Sequence, residues 1–252
     1  MTQRTGSLPN RFRPSQADLM SKNVPDVLSA IEGRQSIRAF VDTPVPRETV
    51  SSILQAAACA PSGTNTQPWN VWVVAGNTRA QLCDEVCAYR DANPALEQDA
   101  GAMGEYQYYP NPVPEPYRSR RRAVGWKMYS AMGVEKGDRD ASWKVAGRNY
   151  RFFGAPIGLI FTLERSLEKG SWIDLGIFLN TIMLAARHFG LDTCAQGAWA
   201  RYHAIVRRHL QIPDSHIVVC GMALGKADTA SPANVRTADK LAVDEFARFY
   251  FD

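Results

Sequence analysis

The sequence predicts a globular chain built from both helices and strands, and three observations carry that prediction. Hydrophobic residues make up 45% of the 252, ordinary for a packed protein and incompatible with general disorder. Apolar residues recur with helical spacing, as in Val50, Ile53, Leu54, Ala57 and Ala58. Between such segments lie short continuous apolar runs of strand length, at 69–75, 157–163 and 217–224.

After a polar arm over 1–23, residues 24–33 read as a short helix with Pro25 near its start. The next helix begins around Pro46–Arg47 and must stop by Pro61-Ser62-Gly63, where proline removes a donor and glycine permits a turn. A buried strand follows at 69–75. Leu82, Val86 and Tyr89 then mark a helix with Asn77 as its candidate cap. Residues 91–116 hold prolines and tyrosines with little periodicity, an excursion long enough to suggest a lid. Helices are expected at 118–132 and at 141–152, the second after an Asp140 cap. Strands at 157–163, 191–195 and 217–224 are interleaved with helices at 172–189 and 202–210. The 172–189 segment is apolar nearly all round, which predicts burial on every side, in the core or at a subunit interface. The tail after Lys226 lacks a core pattern until 246–251, as expected of a segment that packs on a partner chain.

The whole chain thus reads as one domain, with 91–132 as excursion and 226–252 as tail. A net charge of +4 is too mild for a nucleic-acid binder. Met1–Ser21 carries Arg4, Arg11 and Arg13 without an apolar core, and no run of about 18 apolar residues occurs, so neither a signal peptide nor a membrane span is expected. Cys59, Cys83, Cys87, Cys194 and Cys220 read as reduced thiols of a cytoplasmic protein. No Gly-x-Gly-x-x-Gly follows a strand, Gly221–Lys226 is one residue short of a P-loop, and neither a zinc site nor a serine nucleophile has a candidate.

Three patches remain that make chemical sense together. Arg34-Gln35-Ser36-Ile37-Arg38 places two guanidinium groups around a hydroxyl, a set suited to phosphate, although alone it would read as a solvated helix end. Residues 60–69, Ala-Pro-Ser-Gly-Thr-Asn-Thr-Gln-Pro-Trp, join a helix to a strand. Gly63 there would let the backbone approach a flat ring, and Asn65 could address ring heteroatoms; a purely structural turn is the alternative. Asn234-Val235-Arg236 in the tail offers another phosphate donor.

Taken in order with Phe153-Gly-Ala-Pro156 and Gly190-Leu-Asp-x-x-x-Gln-Gly197, these patches resemble the FMN-dependent nitroreductase family, and within it the bacterial enzymes acting on nitrobenzoates and chloronitrobenzenes. The resemblance spans residues 24–236. It implies an α+β fold, a mixed sheet flanked by helices, in an intertwined homodimer with C-terminal tail exchange and two FMN sites at the subunit interface. Carried over by position, Arg34, Gln35, Ser36 and Arg236 would hold the FMN phosphate, assisted by Asn234, which stands where relatives often have a lysine. Arg38 would reach the N1/O2 edge of the ring, Pro61, Ser62, Gly63 and Asn65 would line it, and Gln196 and Gly197 would approach N5.

The activity implied is two-electron transfer from NAD(P)H to a small aromatic acceptor. Reduced flavin carries negative charge near N1, so a fixed Arg38 would stabilise it, and no side-chain base is required. Tyr106, Tyr108, Tyr109, Trp126 and Tyr129 could form an aromatic lid, with Tyr109, Trp126 and Tyr129 the candidate acceptor residues, although aromatics at such spacing are more often core. The basic run Arg118, Arg120, Arg121 and Arg122 reads as a solvated helix face, with recognition of a carboxylate or of the NADPH phosphate as the alternative. Competing activities are quinone or flavin reduction and reductive dehalogenation; the deiodinase branch carries a lysine where this chain has Asn149. A non-catalytic flavin-binding protein is the rival of another class.

Overall fold

A computed structural model describes residues 25–97, 102–236 and 238–251. The polar arm read over 1–23 lies outside the described residues. Chain order runs α1 (Val27–Gly33), α2 (Arg47–Ala57), β1 (Asn70–Ala75), α3 (Gly76–Ala92), β2 (Ala102–Met103), β3 (Tyr106–Gln107), α4 (Tyr117–Ala131) and α5 (Arg139–Gly147). It continues with β4 (Ile157–Glu164), α6 (Lys169–His188), β5 (Asp192–Gln196), α7 (His203–Leu210), β6 (His216–Gly225) and α8 (Val243–Phe246). Short 3-10 turns at Arg148–Gly154 and Gly197–Tyr202 carry residues of the site.

The fold is α+β. Its main sheet has the order β1-β4-β6-β5, and every strand pairing in it is antiparallel. The parallel component is the isolated bridge Ser36–Thr193 at the outer edge of β5. Antiparallel sheets often leave one face wet, giving strict alternation. Here both faces are covered, so β4 and β6 are buried almost throughout. On one face α2 and α6 pack Val50, Ile53, Leu175, Phe178 and Ile182 against Leu159, Phe161 and Met222. On the other, α3 and α7 pack Leu82, Val86 and Val206 against Ile160, Val218 and Ala223.

Two helix starts differ from expectation. Helix α3 opens at Gly76, directly from β1, with Ala75 rather than Asn77 at its cap and no side-chain cap bond. Helix α5 is capped by Asp138, whose carboxylate accepts from Ala141 N at 2.9 Å, and Asp140 lies inside its first turn. The 141–152 helix accordingly starts earlier and gives way to the 3-10 turn at Arg148.

Within one chain α6 buries a single stripe, Leu175, Phe178, Ile182 and Ala186, not all of its sides. Ile173 is 67% exposed and Ile177 38% exposed on the other face. Val27, Leu28 and Ile31 of α1 are also exposed, as are Phe246, Phe249, Tyr250 and Phe251 at the end of the tail. Among the described residues no helix is long and apolar enough to cross a membrane.

Two glycines set the floor of the face that carries the site. A Cβ on Gly158 would lie 2.4 Å from the Phe152 ring, and one on Gly221 would lie 2.4 Å from Trp199. Phe152 and Trp199 stack at 4.3 Å on that floor, fixing both 3-10 turns. Gly221→Ala is therefore expected to overpack the pair and destabilise the fold by about 1–3 kcal/mol, measured by denaturant unfolding.

Candidate active site

Arg34 caps α1, and the chain then runs beside β5, where Ile37 N donates to Thr193 O at 3.0 Å. Alternation buries Ile37 and Ala39 and turns Arg34, Ser36 and Arg38 toward a cleft of about 110 Å³. Gln35, Arg236, Val124 and Lys240 also line it, and no carboxylate does. Arg34 and Lys240 form no ion pair among the described residues. Such a concentration of cations around a hydroxyl is the natural complement of a phosphate dianion.

Asn234 is central to this cleft in a different way from the one the resemblance implies. Its Oδ1 accepts from Arg38 N at 2.6 Å and from Ala39 N at 3.2 Å. Its Nδ2 donates to Ala39 O and Asp228 O, both at 2.8 Å. Gln35 Nε2 donates to the Asn234 carbonyl at 3.0 Å. The side chain is thus fully engaged in tying the tail to the Arg34–Arg38 segment. Lys240 adds a fourth cation to Arg34, Arg38 and Arg236 in that cleft, and nothing in the sequence alone singles it out. Arg236 donates to Glu32 O at 2.6 Å, which fixes its guanidinium at the rim.

The 61–65 loop lies elsewhere. Gly63 N donates to the Asp174 carboxylate at 3.2 and 3.3 Å, Ser62 Oγ accepts from Gln67 N at 3.0 Å, and Trp69 stacks on Phe178 at 4.5 Å. Thr64, Asn65 and Gln67 all have positive φ, at 47°, 60° and 48°. A β-branched residue there is strained, and strain held in an exposed loop points to function.

One chain does not bring the loop and the basic cleft together. The loop hangs on Asp174 near the start of α6, while Gly33, beside Arg34, packs near Arg187 at its end. Those two helix positions are about 20 Å apart along the axis and on opposite flanks.

Gln196 is 2% exposed, and its Nε2 donates to Asn149 O at 2.7 Å while its Oε1 has no partner. Its side chain is therefore internal, leaving the backbone and Gly197 to face outward. A Cβ on Gly197 would sit 3.0 Å from the Tyr108 ring, so the glycine lets that ring close over it. The sequence places Tyr108 among five aromatics of a possible lid, and the fold sets it against Gly197.

The excursion that carries Tyr108 is pinned. Gly104 lies so close to Ala200 that a Cβ would come 2.3 Å from its carbonyl oxygen. Tyr106 OH donates to Val219 O at 2.6 Å. The Glu105 carboxylate receives Arg165 at 2.5 Å and Arg207 at 3.0 Å. Partial burial pushes the Glu105 pKa up, but the Arg165 hydrogen bond and the charges of His203, Arg207 and Arg165 outweigh it, leaving it below the ordinary value. A lowered folded pKa means stability that is complete above the usual carboxylate range and lost as pH falls through the folded value. Acidification is expected to loosen the β2–β3 hairpin before the main sheet, and Glu105→Gln to loosen it already at neutral pH. Hydrogen exchange at the hairpin amides checks both; equal protection in the variant would contradict the anchor.

Two adjoining clefts, each of about 750 Å³, share Tyr129, Gly137 and Ser142 in their walls. Trp126 and Tyr129 line the first, and Tyr109 and Tyr129 the second, so all three candidate acceptor residues border these clefts. Burial, the largest influence, raises the Tyr129 pKa.

The profile of the Nitroreductase family matches residues 31–226. A nitrobenzene nitroreductase of Ectopseudomonas oleovorans is 41% identical over 226 residues, 89% of this chain and 97% of that protein. A 4-nitrobenzoate reductase of Nocardioides sp. (strain LMS-CY) is 38% identical over 225 residues, covering 88% of this chain and 89% of its own length. Among solved structures, the FMN and NADPH-dependent nitroreductase NfnB from sphigopyxis sp. strain HMH is 34% identical with a TM-score of 0.83, covering 90% of this chain and 100% of that chain. By sequence and by fold, the chain belongs to the Nitroreductase family.

Proposed function

We propose that the protein is an FMN-dependent NAD(P)H oxidoreductase that reduces nitroarenes, acting as a homodimer with two composite flavin sites. The observation that carries this reading is the carboxylate-free basic cleft of Arg34, Ser36, Arg38, Arg236 and Lys240, which fits one phosphate at the end of a mononucleotide. Gly197, half-buried beside the Tyr108 ring, lacks the side chain that would keep a flat ring from its backbone.

The dimer follows from the separation of the two half-sites. Since the 61–65 loop of one chain hangs at the far end and opposite flank of α6, the loop covering a given ring would come from a second copy. The exposed apolar residues of α1, α6 and the tail supply the surface such a copy would cover.

Each residue then has a physical task. Arg34, Ser36, Arg236 and Lys240 hold the phosphate, with Gln35 and Asn234 fixing the cleft's shape. Arg38 places a permanent positive charge at the ring edge, held by the Asn234 clamp and by Arg148, which donates to Arg38 O at 2.9 Å. Gly197 and Tyr108 set the wall near N5. Bound FMN would supply the redox chemistry, taking hydride from NAD(P)H and passing two electrons to the acceptor in ping-pong order. Overall, a nitro group, NAD(P)H and a proton give nitroso, NAD(P)⁺ and water; a second NAD(P)H and proton give the hydroxylamine.

Denaturing the purified holoprotein and identifying the released flavin tests the reading. FMN is expected, because the cleft closes around a terminal phosphate. Release of FAD, or no flavin after reconstitution, would overturn it.

A further inference from the structure

The basic run of α4 is not one uniform solvated face. Arg118 pairs with Glu115 at 2.7 Å, and Arg120 stands near the Tyr117 ring at 5.9 Å. Arg122 borders the first cleft. Arg121 is turned over the Tyr109 ring at 4.3 Å and lines the second cleft. The rings of Tyr109 and Tyr108 meet at 4.6 Å, and Tyr108 lies on Gly197. Two aromatic residues packed edge to face thus connect Gly197 to one guanidinium.

The charges of that cleft do not cancel. Glu97 accepts from Tyr150 OH and Tyr202 OH at 2.7 Å each and faces the buried Arg90 at 3.6 Å. Arg90 itself lies over Trp143 at 3.4 Å and donates to Trp143 O. Asp138 is occupied as the cap of α5. Arg201 donates to Leu96 O. Arg121 and Arg139, which both line this cleft, have no carboxylate partner among the described residues. Their charges face a groove whose other walls are Tyr109, Tyr129 and Trp143. A flat apolar body with an anionic end fits such a lining better than a neutral arene does.

We infer that this groove selects aromatic acceptors bearing a carboxylate, with Arg121, held over Tyr109, as the residue that binds it. This rests on the nitroreductase reading and deepens it. A guanidinium stacked on a ring is pre-organised for a planar, bidentate partner, so little ordering cost remains when the carboxylate arrives. The 2′-phosphate of NADPH could use the same charge, and the two ligands are separable by experiment.

The test uses FMN-loaded wild type, Arg121→Ala and Arg121→Lys. Steady-state turnover is measured with 4-nitrobenzoate and with nitrobenzene, and anaerobic flavin reduction by NADPH and by NADH is followed separately. Arg121→Ala is expected to lower kcat/KM for 4-nitrobenzoate about ten- to hundredfold, the loss of one charged hydrogen-bonding partner, and to leave nitrobenzene within about twofold. Arg121→Lys should recover part of the loss, since the charge stays while the fork is lost. Equal losses with both acceptors would overturn the inference, as would a loss confined to reduction by NADPH, which would assign Arg121 to the donor. Arg121 is exposed, so a folding defect is not expected, and retained flavin checks it. Failure of the underlying reading looks different: no flavin is retained and neither acceptor is reduced.

Discussion

Two inactive variants are expected to make an active enzyme when they share a dimer. Arg34→Ala combined with Arg236→Ala removes two cations of the phosphate cleft. At about 1.5–3 kcal/mol each, their loss should weaken FMN binding at least a hundredfold. Gly63→Leu fills the place where the ring would lie. A Cβ at Gly63 meets only Asp174 Oδ2 at 3.8 Å, so the loop backbone can accept the side chain. Each homodimer carries two defective sites. In the proposed dimer, where cleft and loop come from different chains, one site of the mixed dimer would hold both defects and the other none. Random pairing makes half of the dimers mixed, which restores about a quarter of the wild-type sites. Co-expression with two affinity tags, followed by flavin content and turnover, reads the result. A mixed dimer as inactive as its parents would place both half-sites of each flavin on one chain.

Arg34 and Arg38 stand four residues apart but should fail differently. Arg34 is assigned to the phosphate, whose charge is the same in both redox states, so Arg34→Ala should weaken oxidised and reduced FMN alike. Arg38 is half-buried, with its backbone clamped by Asn234 at 2.6 Å, and Nη1 donates to Ser36 O at 3.3 Å. Its charge is assigned to the ring edge, where negative charge develops only on reduction. Arg38→Ala should therefore lower the midpoint potential by about 30–60 mV, the two-electron equivalent of one charged hydrogen bond, and slow reduction by NAD(P)H. Arg38→Lys should recover part of that shift. Spectroelectrochemistry on FMN-saturated variants checks the pair. An unchanged potential in Arg38→Ala with a large shift in Arg34→Ala would reverse the two roles.

What the sequence discloses depends on whether the responsible contacts are local. The apolar periodicity of Val50, Ile53 and Ala57 and the runs in β4 and β6 locate those elements to within a few residues, because burial itself wrote the pattern. The start of α3 was misplaced because Gly76 continues straight from β1, with packing in place of a polar cap. The β2–β3 hairpin was invisible: two-residue strands have no period, and the partners of Glu105 lie 60 and 102 residues away. The sequence offers Tyr108 only as one of five aromatics of a possible lid and offers no signal for Lys240, since only the folded chain sets them against Gly197 and the basic cleft. The all-round apolar pattern of α6 could not say which side faces the core. The structure gives that side to Leu175, Phe178, Ile182 and Ala186, leaving Ile173 and Ile177 outward.

The central claim is that this chain uses bound FMN to carry electrons from a nicotinamide to a nitroarene. Anaerobic addition of NADPH or NADH to the holoprotein, followed by a nitroarene, measures it most directly. The account predicts that about one equivalent of donor bleaches each bound FMN and that the nitroarene restores the oxidised spectrum within the turnover time. A bound flavin that neither donor bleaches would contradict the account and leave a flavin-binding protein; a bleached flavin that no nitroarene reoxidises would contradict the acceptor.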